Sequence, residues 1–256
     1  MTGESRLAAL EAERRRLSGE ALPAAGGDVA IRDAATLIIV DETAEAGGPR
    51  FLMGLRGKAH VFMANRFVFP GGRVDPADRE LAARFSLPGD AGARLCAAVP
   101  DGFTARDAAA LALAAIRETF EETGLLIGSQ AADSAAFPKD FAAFSERGLA
   151  PAVDWLVPIA RAVTPEGPPR RFDTRFFVIN ATRLGAISEN FDPPTDEFER
   201  IGWVSTGSLD DHSLAPITRT ILGDLAERMA EGSWLDASVA MPYYRTVDGR
   251  IRKDLI

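Results

Sequence analysis

The sequence predicts an α/β protein, because apolar strand patterns alternate along the chain with helical patterns. Residues 34–40 form a nearly continuous apolar run, which is typical of a buried strand. Residues 105–123 are rich in alanine and leucine, which are good helix formers. An amphipathic helical pattern follows at 213–229, with an apolar stripe that would pack on a sheet or form a dimer face. The other strand patterns lie at 51–56, 67–69, 155–163, 171–180 and 201–204.

The composition is typical of a soluble globular protein with a large core. The chain has 256 residues, and no apolar run approaches the length needed to span a bilayer, so we expect no membrane partner. The net charge of −8 argues against a nucleic-acid partner, because phosphate backbones attract dense lysine and arginine. Cys96 is the single cysteine, which excludes an internal disulfide. With no signal peptide at the start, we expect a cytoplasmic location.

The most informative segment is 117–124, at the end of the long helical pattern. Residues three and four apart are neighbours on a helix surface, so Glu118 faces both Glu121 and Glu122. Clustered carboxylates repel one another unless positive charge lies among them, and Mg²⁺ takes oxygen ligands and commonly pairs with phosphates. The segment therefore predicts metal-assisted cleavage of a phosphoanhydride. By itself it leaves open a solvated helix face, with Arg117 and Glu121 as an ordinary ion pair.

The helix that carries these carboxylates has clear end signals. Thr104, followed three residues later by Asp107, resembles a capping box at its start. Gly124 is placed to end the helix. A helix of about 20 residues between these signals would hold the carboxylates more rigidly than a loop.

Residues 117–125 resemble the second half of a Nudix box, whose pattern is G-x5-E-x7-R-E-U-x-E-E-x-G-U, with U apolar. Thr119 stands where an apolar residue is usual. The first half is similar to the segment 69–75, Phe-Pro-Gly-Gly-Arg-Val-Asp, which places the acidic position on Asp78. Since 38 residues separate Asp78 from the arginine, the box is interrupted. The matching positions of the second half are Arg117, Glu118, Glu121, Glu122, Gly124 and Leu125.

An interrupted box of this kind resembles one branch of the superfamily, the peroxisomal-type coenzyme A diphosphatases and their bacterial relatives. The segments 51–56, 61–63, 66–72 and 170–178 are similar to the strands, loop and glycine turn of that branch. The resemblance implies an α/β/α sandwich with a mixed β-sheet. The expected organisation is a peripheral helical segment and linker at 1–30, a Nudix domain at 31–235 and a C-terminal arm at 236–256.

The insertion that interrupts the box covers about residues 79–103. We expect a short helix near 80–85 and loops after it, because proline and glycine recur from Pro88 onward. Its place in the chain puts it beside the expected active-site cleft. It would shape the pocket there or serve as a surface addition.

The resemblance also implies the chemistry of the site. Mg²⁺ or Mn²⁺ would be held by Glu118, Glu121 and Glu122, and Arg117 would orient one of these carboxylates. Glu197 precedes a strand and is the expected base or further metal ligand. Glu199 is the second choice, and a solvated acidic loop is the alternative. The catalytic candidates are therefore Glu122, Glu121, Glu197 and Arg117.

Substrate contacts are expected around the glycine turn. Gly71 and Gly72 permit a close approach of substrate to the main chain. Arg56 occupies a position that matches the family, and Arg73 follows the glycines. Lys58 and Arg66 are further basic side chains near the expected cleft.

The expected substrate is a small nucleotide derivative. By resemblance it is coenzyme A or acyl-coenzyme A, cleaved to 3′,5′-ADP and the matching 4′-phosphopantetheine. The alternatives are hydrolysis of ADP-ribose or NADH, and a catalytically silent ligand sensor on the same scaffold. A structural partner protein that uses the 213–229 stripe, or a homodimer, is also compatible with the sequence.

Overall fold

The strands of the main β-sheet come from both halves of the chain. The computed structural model describes residues 2–19, 29–43, 47–57, 65–131 and 136–256. The expected linker at 22–27, Lys58 and the segment 61–63 lie outside these ranges. The strands are β1 (Ile31–Asp41), β2 (Arg50–Arg56), β3 (Phe67–Val68), β4 (Gly71–Arg73), β5 (Gly128–Gln130), β6 (Leu149–Pro151), β7 (Val157–Val163), β8 (Arg171–Asn180), β9 (Phe198–Ser205), β10 (Pro242–Val247) and β11 (Arg250–Leu255).

Helices lie between the strands and at the start of the chain. The α-helices are α1 (Gly3–Gly19), α2 (Pro76–Leu81), α3 (Gly89–Leu95), α4 (Ala105–Thr123), α5 (Ala142–Glu146) and α6 (Pro216–Ala230). Short 3₁₀ helices occur at Ala82–Arg84, Lys139–Phe141, Val153–Trp155, Ala181–Leu184 and Thr206–Asp211. Within the described part of the chain, no helix is long and apolar enough to cross a membrane.

Strand β1 lies at the centre of the main sheet and has neighbours on both edges. It runs parallel to β8 from the Ile31–Arg171 pair to the Val40–Asn180 pair. Its other edge pairs with β4 near its start and with β2 at its end, both antiparallel. β2 also pairs with β3 and β9, and β8 pairs antiparallel with β7. Because parallel and antiparallel pairs both occur, the predicted mixed sheet is confirmed.

Helices cover both faces of the sheet, and each face buries its own core. Successive side chains of a strand point to opposite faces. Leu37 and Ile39 pack with α4, whereas Ile38 and Val40 pack with α6. All four are fully buried, which explains why β1 is a continuous apolar run. The predicted α/β/α sandwich is therefore confirmed.

The apolar stripe of α6 packs on the sheet. Ile221, Leu222 and Leu225 are buried in the core on that face, and Ile217 and Met229 pack against it. Burial of a large apolar side chain contributes about 1.5–3 kcal/mol. The stripe therefore stabilises the fold and is not free to serve as the dimer face or partner surface that the sequence also allowed.

The N-terminal helix α1, expected at the periphery, packs on α6 and the last strand. Arg6 Nη2 donates to Asp224 Oδ1 at 3.2 Å, and both side chains are almost completely buried. Asp224 also accepts hydrogen bonds from the Tyr244 hydroxyl at 2.5 Å and from Lys253 Nζ at 2.9 Å. Glu11 accepts a hydrogen bond from the backbone of β11 at 3.0 Å. Polar contacts at buried groups, together with Leu10 in the core on the α6 face, thus attach α1 to the protein.

The segment expected as a C-terminal arm forms a β-hairpin that extends the main sheet. β10 pairs in parallel with β7 and antiparallel with β11. The turn residues Asp248 and Gly249 have φ angles of 49° and 72°, the left-handed geometry of a type I′ hairpin turn. Tyr243 and Tyr244 of β10 are buried. The arm is therefore corrected to an integral part of the sheet.

The insertion at 79–103 contains more helix than the sequence indicates. α3 forms at Gly89–Leu95, where the proline and glycine residues suggested a loop. Leu95, together with Leu81 of α2, is buried beside the alanines of α4. Arg79 pairs with Asp107 in the first turn of α4 at 2.9 Å. These contacts lie at the start of α4, whereas the candidate carboxylates lie at its end.

Candidate functional site

Helix α4 carries the candidate carboxylates, and both of its predicted ends are confirmed. Thr104 and Asp107 form the capping box at its start. Gly124 ends the helix with a φ angle of 78°, a left-handed conformation that favours glycine. Thr119, which departs from the box pattern, is fully buried and donates its hydroxyl to the Ala115 carbonyl at 2.7 Å. A polar side chain is tolerated there because this bond satisfies its hydroxyl donor.

Arg117 connects the two halves of the interrupted motif. Its Nε and Nη2 donate to the two carboxylate oxygens of Asp78 at 3.0 and 2.9 Å. Its Nη1 donates to Glu118 at 2.8 Å and to Glu121 at 3.0 Å, and Nη2 also donates to the Arg73 carbonyl at 3.0 Å. Burial alone would lower the pKa of Arg117, but the bonds to Asp78 and the charge of Glu118 outweigh it and raise that pKa. A permanent cation thus holds two of the three candidate metal ligands.

Glu122 is held by the glycine turn rather than by Arg117. The backbone N–H of Gly71 donates to Glu122 Oε2 at 2.8 Å. The residue is only 2% exposed, and burial, followed by the charge of Glu118, raises the pKa of Glu122 to about 8. Burial also raises the pKa of Glu118 to about 6, against the effect of Arg117. Buried neighbouring carboxyl groups of this kind are stabilised in their charged form by a nearby cation.

The glycine turn leaves room for these carboxylates. A Cβ atom on Gly72 would lie 2.5 Å from the carboxylate carbon of Glu118. A Cβ atom on Gly71 would lie 2.5 Å from the backbone oxygen of Ala35 in β1. The backbone of β1 therefore excludes a side chain at Gly71, whereas a side chain at Gly72 would displace the Glu118 carboxylate. Their direct contact with substrate stays a prediction.

The acidic loop, defined as residues 192–197, brings Glu197 to the same place. Arg56, at the end of β2, pairs with Phe198, the first residue of β9. The loop residue just before Phe198 is Glu197, which therefore lies next to Arg56. Arg56 Nη2 forms an ion pair with Glu197 Oε1 and lies 3.8 Å from Glu122 Oε1. Three of the predicted residues are thereby joined. Glu199, the second choice, is an exposed residue within β9.

The other basic candidates have partners of their own. The Arg73 side chain is 56% exposed, and its Nε lies 2.8 Å from Asp75 Oδ1. Arg66 lies 3.7 Å from Glu13 of α1. The structure therefore joins Arg56, but not the side chain of Arg73, to the carboxylate group. The substrate contact of Arg73 stays a prediction.

Comparison with solved structures shows which hydrolases the fold resembles. The fold is similar to the crystal structure of a NUDIX hydrolase from Alicyclobacillus acidocaldarius, with a TM-score of 0.52 and 28% identity over 80% of this chain and 86% of that one. The chain is thus similar to Nudix hydrolases in both fold and sequence.

A relative among curated sequences agrees with the structural likeness. "Putative nudix hydrolase 7" of Caenorhabditis elegans is 27% identical over 195 residues, which cover 72% of this chain and 55% of that protein. The chain therefore spans about half the length of the curated Nudix relative that it matches. No protein-family model matches the chain.

The Nudix carboxylates have the donor chemistry of a hard divalent cation. Glu118, Glu121 and Glu122 lie in the last two turns of α4, and carboxylate oxygens are the ligands that Mg²⁺ and Mn²⁺ prefer. In the described ranges, no three acidic, histidine or cysteine side chains converge on a point that would hold a metal ion. The reason is that Glu118 and Glu121 bond to Arg117, whereas Glu122 bonds to Gly71. The donor set fits the cation, and the side chains must turn toward a common ion to bind it.

Two residues that contact the candidate carboxylates and the end of α4 were not among the candidates derived from the sequence. Asp78 was visible in the box spacing, but its role as the partner of Arg117 depends on how α2 packs on α4. Thr195 donates its backbone N–H and its hydroxyl to the Glu121 carbonyl, at 3.3 and 2.8 Å. Local sequence patterns carry no signal for that contact, because it joins residues 74 positions apart.

Proposed function

We propose that the protein is a divalent-metal-dependent hydrolase that cleaves the diphosphate of a nucleotide derivative. The observation that carries the proposal is the bonding of Arg117, which ties Asp78 to the carboxylates of α4 across the interruption of the box. Glu118, Glu121 and Glu122 would hold Mg²⁺ or Mn²⁺. When bound, such an ion neutralises a diphosphate and lowers the pKa of a bound water.

The remaining side chains would handle the proton and the substrate charge. Glu197 would accept the proton of the attacking water at Oε1, the atom that pairs with Arg56 in the structure. Arg56, once released from Glu197, would bind an oxygen of the diphosphate, because its guanidinium matches phosphate geometry. Gly71 would keep Glu122 in place through its backbone N–H.

We further propose that the substrate is coenzyme A or an acyl-coenzyme A. The products would be 3′,5′-ADP and the matching 4′-phosphopantetheine. This choice is supported by the interruption between Asp78 and Arg117 and by the segment that ends at Arg56, both of which resemble the coenzyme A diphosphatase branch. ADP-ribose and NADH are the competing substrates for the same carboxylates.

Product analysis by mass spectrometry tests both levels of the proposal. The purified protein is incubated with Mg²⁺ or Mn²⁺ in ¹⁸O-labelled water, with coenzyme A, ADP-ribose, NADH and nucleoside triphosphates as a panel. We expect 3′,5′-ADP and 4′-phosphopantetheine, with the label on one of them identifying the attacked phosphorus. Glu122→Gln should abolish turnover, whereas Glu146→Gln, at an exposed position on α5, should not.

Each other outcome has a definite meaning. If only ADP-ribose or NADH is cleaved, that compound replaces coenzyme A as the proposed substrate, and the proposed cleavage of a diphosphate stands. Tight binding of a panel member without hydrolysis would identify a ligand sensor. Full activity of Glu122→Gln with Mg²⁺ would show that the carboxylates of α4 are not the metal site.

A further inference from the structure

We propose that Thr195 is a positioning residue, which docks the acidic loop on the backbone of Glu121 and so holds Glu197 beside the carboxylates of α4. The catalytic part of this inference rests on the proposed function. The docking of the loop is a separate statement about the fold. Glu197 lies at the end of a mostly exposed loop, and its placement needs a physical cause.

The central contact is made at the end of α4. The last carbonyl groups of a helix have no partner inside the helix and need one from outside. The carbonyl of Glu121 accepts two hydrogen bonds from Thr195, one from the backbone N–H at 3.3 Å and one from the hydroxyl at 2.8 Å. One residue thus occupies both lone pairs of this carbonyl. The side chain of the same glutamate bonds to Arg117, so the loop is fixed directly to the carboxylate group.

The start of the acidic loop passes close over the helix end. A Cβ atom on Gly124 would lie 2.5 Å from the carbonyl oxygen of Asp192. Real Cβ atoms do not approach backbone oxygen so closely, so a side chain at this position would push the loop away. Gly124 therefore ends α4 and also admits the loop.

The end of the acidic loop is fixed by packing on β2. The ring of Phe198 is buried, and a Cβ atom on Gly54 would overlap it. Because Phe198 is seated over β2, the preceding Glu197 lies next to Arg56 of the same strand. The loop is thus held at its start by close packing, in its middle by Thr195 and at its end by Phe198.

The hydroxyl of Thr195 is the part of this arrangement that can be removed most cleanly. Thr195 is exposed, so its replacement by the isosteric valine removes a hydrogen bond with little loss of buried apolar contact. A net hydrogen bond of this type corresponds to about a fivefold change in an equilibrium. The equilibrium constant for docking of the acidic loop should fall by that factor in Thr195→Val.

The test compares matched variants in the product assay. Thr195→Val should lower kcat by at most about fivefold with KM unchanged, and Thr195→Ser, which keeps the hydroxyl, should restore kcat. Thr182→Val is the control, because Thr182 makes a comparable hydroxyl bond to Asn180 at 2.7 Å in an exposed turn. Thr195→Val should cause no further loss in a Glu197→Gln background, because both changes act through one carboxylate.

Hydrogen exchange tests the docking without any turnover. The backbone amide of Thr195, which donates to the Glu121 carbonyl, should be protected in the wild type and in Thr195→Ser, and should exchange about fivefold faster in Thr195→Val. Equally fast exchange in all three proteins, or a loss of kcat in Thr195→Val that is additive with that of Glu197→Gln, would overturn the inference. If the wild type cleaves nothing in the panel, the proposed function fails, and hydrogen exchange still decides whether Thr195 docks the loop.

Discussion

Replacement of Glu122 by glutamine should stabilise the metal-free protein at alkaline pH. The carboxylate is 2% exposed, and its bond from the Gly71 N–H at 2.8 Å can also be accepted by the glutamine amide oxygen. Burial, then the charge of Glu118, raises the pKa of Glu122 from 4.5 to about 8. The substitution therefore removes the group whose charged form is disfavoured and keeps its shape.

The sign of the pH dependence follows from proton binding. Between pH 4.5 and 8 the folded protein keeps the proton of Glu122, whereas the unfolded chain releases it. The contribution of Glu122 to wild-type stability is therefore fully present below this window and is lost as pH rises through it. At about 1.4 kcal/mol per pKa unit, the full effect is about 5 kcal/mol. Between pH 5.5 and 8, the stability gap between Glu122→Gln and the wild type should widen by about 3 kcal/mol.

Urea unfolding at pH 5.5 and pH 8 measures this gap, first with EDTA and then with Mg²⁺ or Mn²⁺. With EDTA at pH 8, Glu122→Gln should be the more stable protein. With the metal, the wild type should gain stability and the variant should gain much less, because a ligand has been lost. Glu146→Gln, at an exposed carboxylate, should match the wild type in all conditions. The reasoning is wrong if Glu122→Gln is no more stable than the wild type at pH 8 with EDTA, or if metal stabilises both proteins equally.

Three further substitutions test other parts of the structure. Arg117→Lys cannot reproduce the paired bonds to Asp78, so the free energy of unfolding should fall by about 3 kcal/mol in urea titrations. An unchanged free energy of unfolding would contradict the importance of the buried pair. Gly72→Ala places a Cβ atom 2.5 Å from the carboxylate carbon of Glu118. Calorimetry should therefore show that the variant binds Mn²⁺ at least about tenfold more weakly, with only a small change in Tm. An Mn²⁺ affinity equal to that of the wild type would argue against this metal site. Tyr244→Phe removes the 2.5 Å hydrogen bond to the buried carboxylate of Asp224 on α6, which should lower the free energy of unfolding by about 1–2 kcal/mol and leave the rate of hydrolysis unchanged. Equal stability of variant and wild type would show that the bond is unimportant.

The parts of the fold that local patterns encode could be predicted from the sequence. The bounds of α4 follow from its capping box and its terminal glycine, and both were predicted to the residue. β8 was likewise predicted at 171–180, because its apolar run at 176–179 and its polar flanks lie within the segment itself. The two halves of the box were recognised by their spacing, although the pairing of Asp78 with Arg117 required the fold.

The parts that depend on tertiary contacts could not be predicted. α3 contains glycines that favour loops, and its helical form is supported by Leu95, which is buried beside α4. α1 has little apolar face, and its docking depends on Arg6 reaching a carboxylate that is 218 residues away. Thr195 lies in an exposed loop, where only the carbonyl of α4 gives it a role. In each case the deciding partner is distant in the chain.

The attachment of α1 also sets an order for folding during synthesis. Its partners on α6 and β11 are translated 218 and 240 residues after Arg6 and Glu11. Loop closure over such separations is entropically costly, and these contacts are among the last to form. Until then, Arg6 and Glu11 stay in water without their native partners, and the apolar side chains of α6 have no cover from α1. A nascent chain is therefore most exposed to aggregation in the interval before the β10–β11 hairpin pairs with β7.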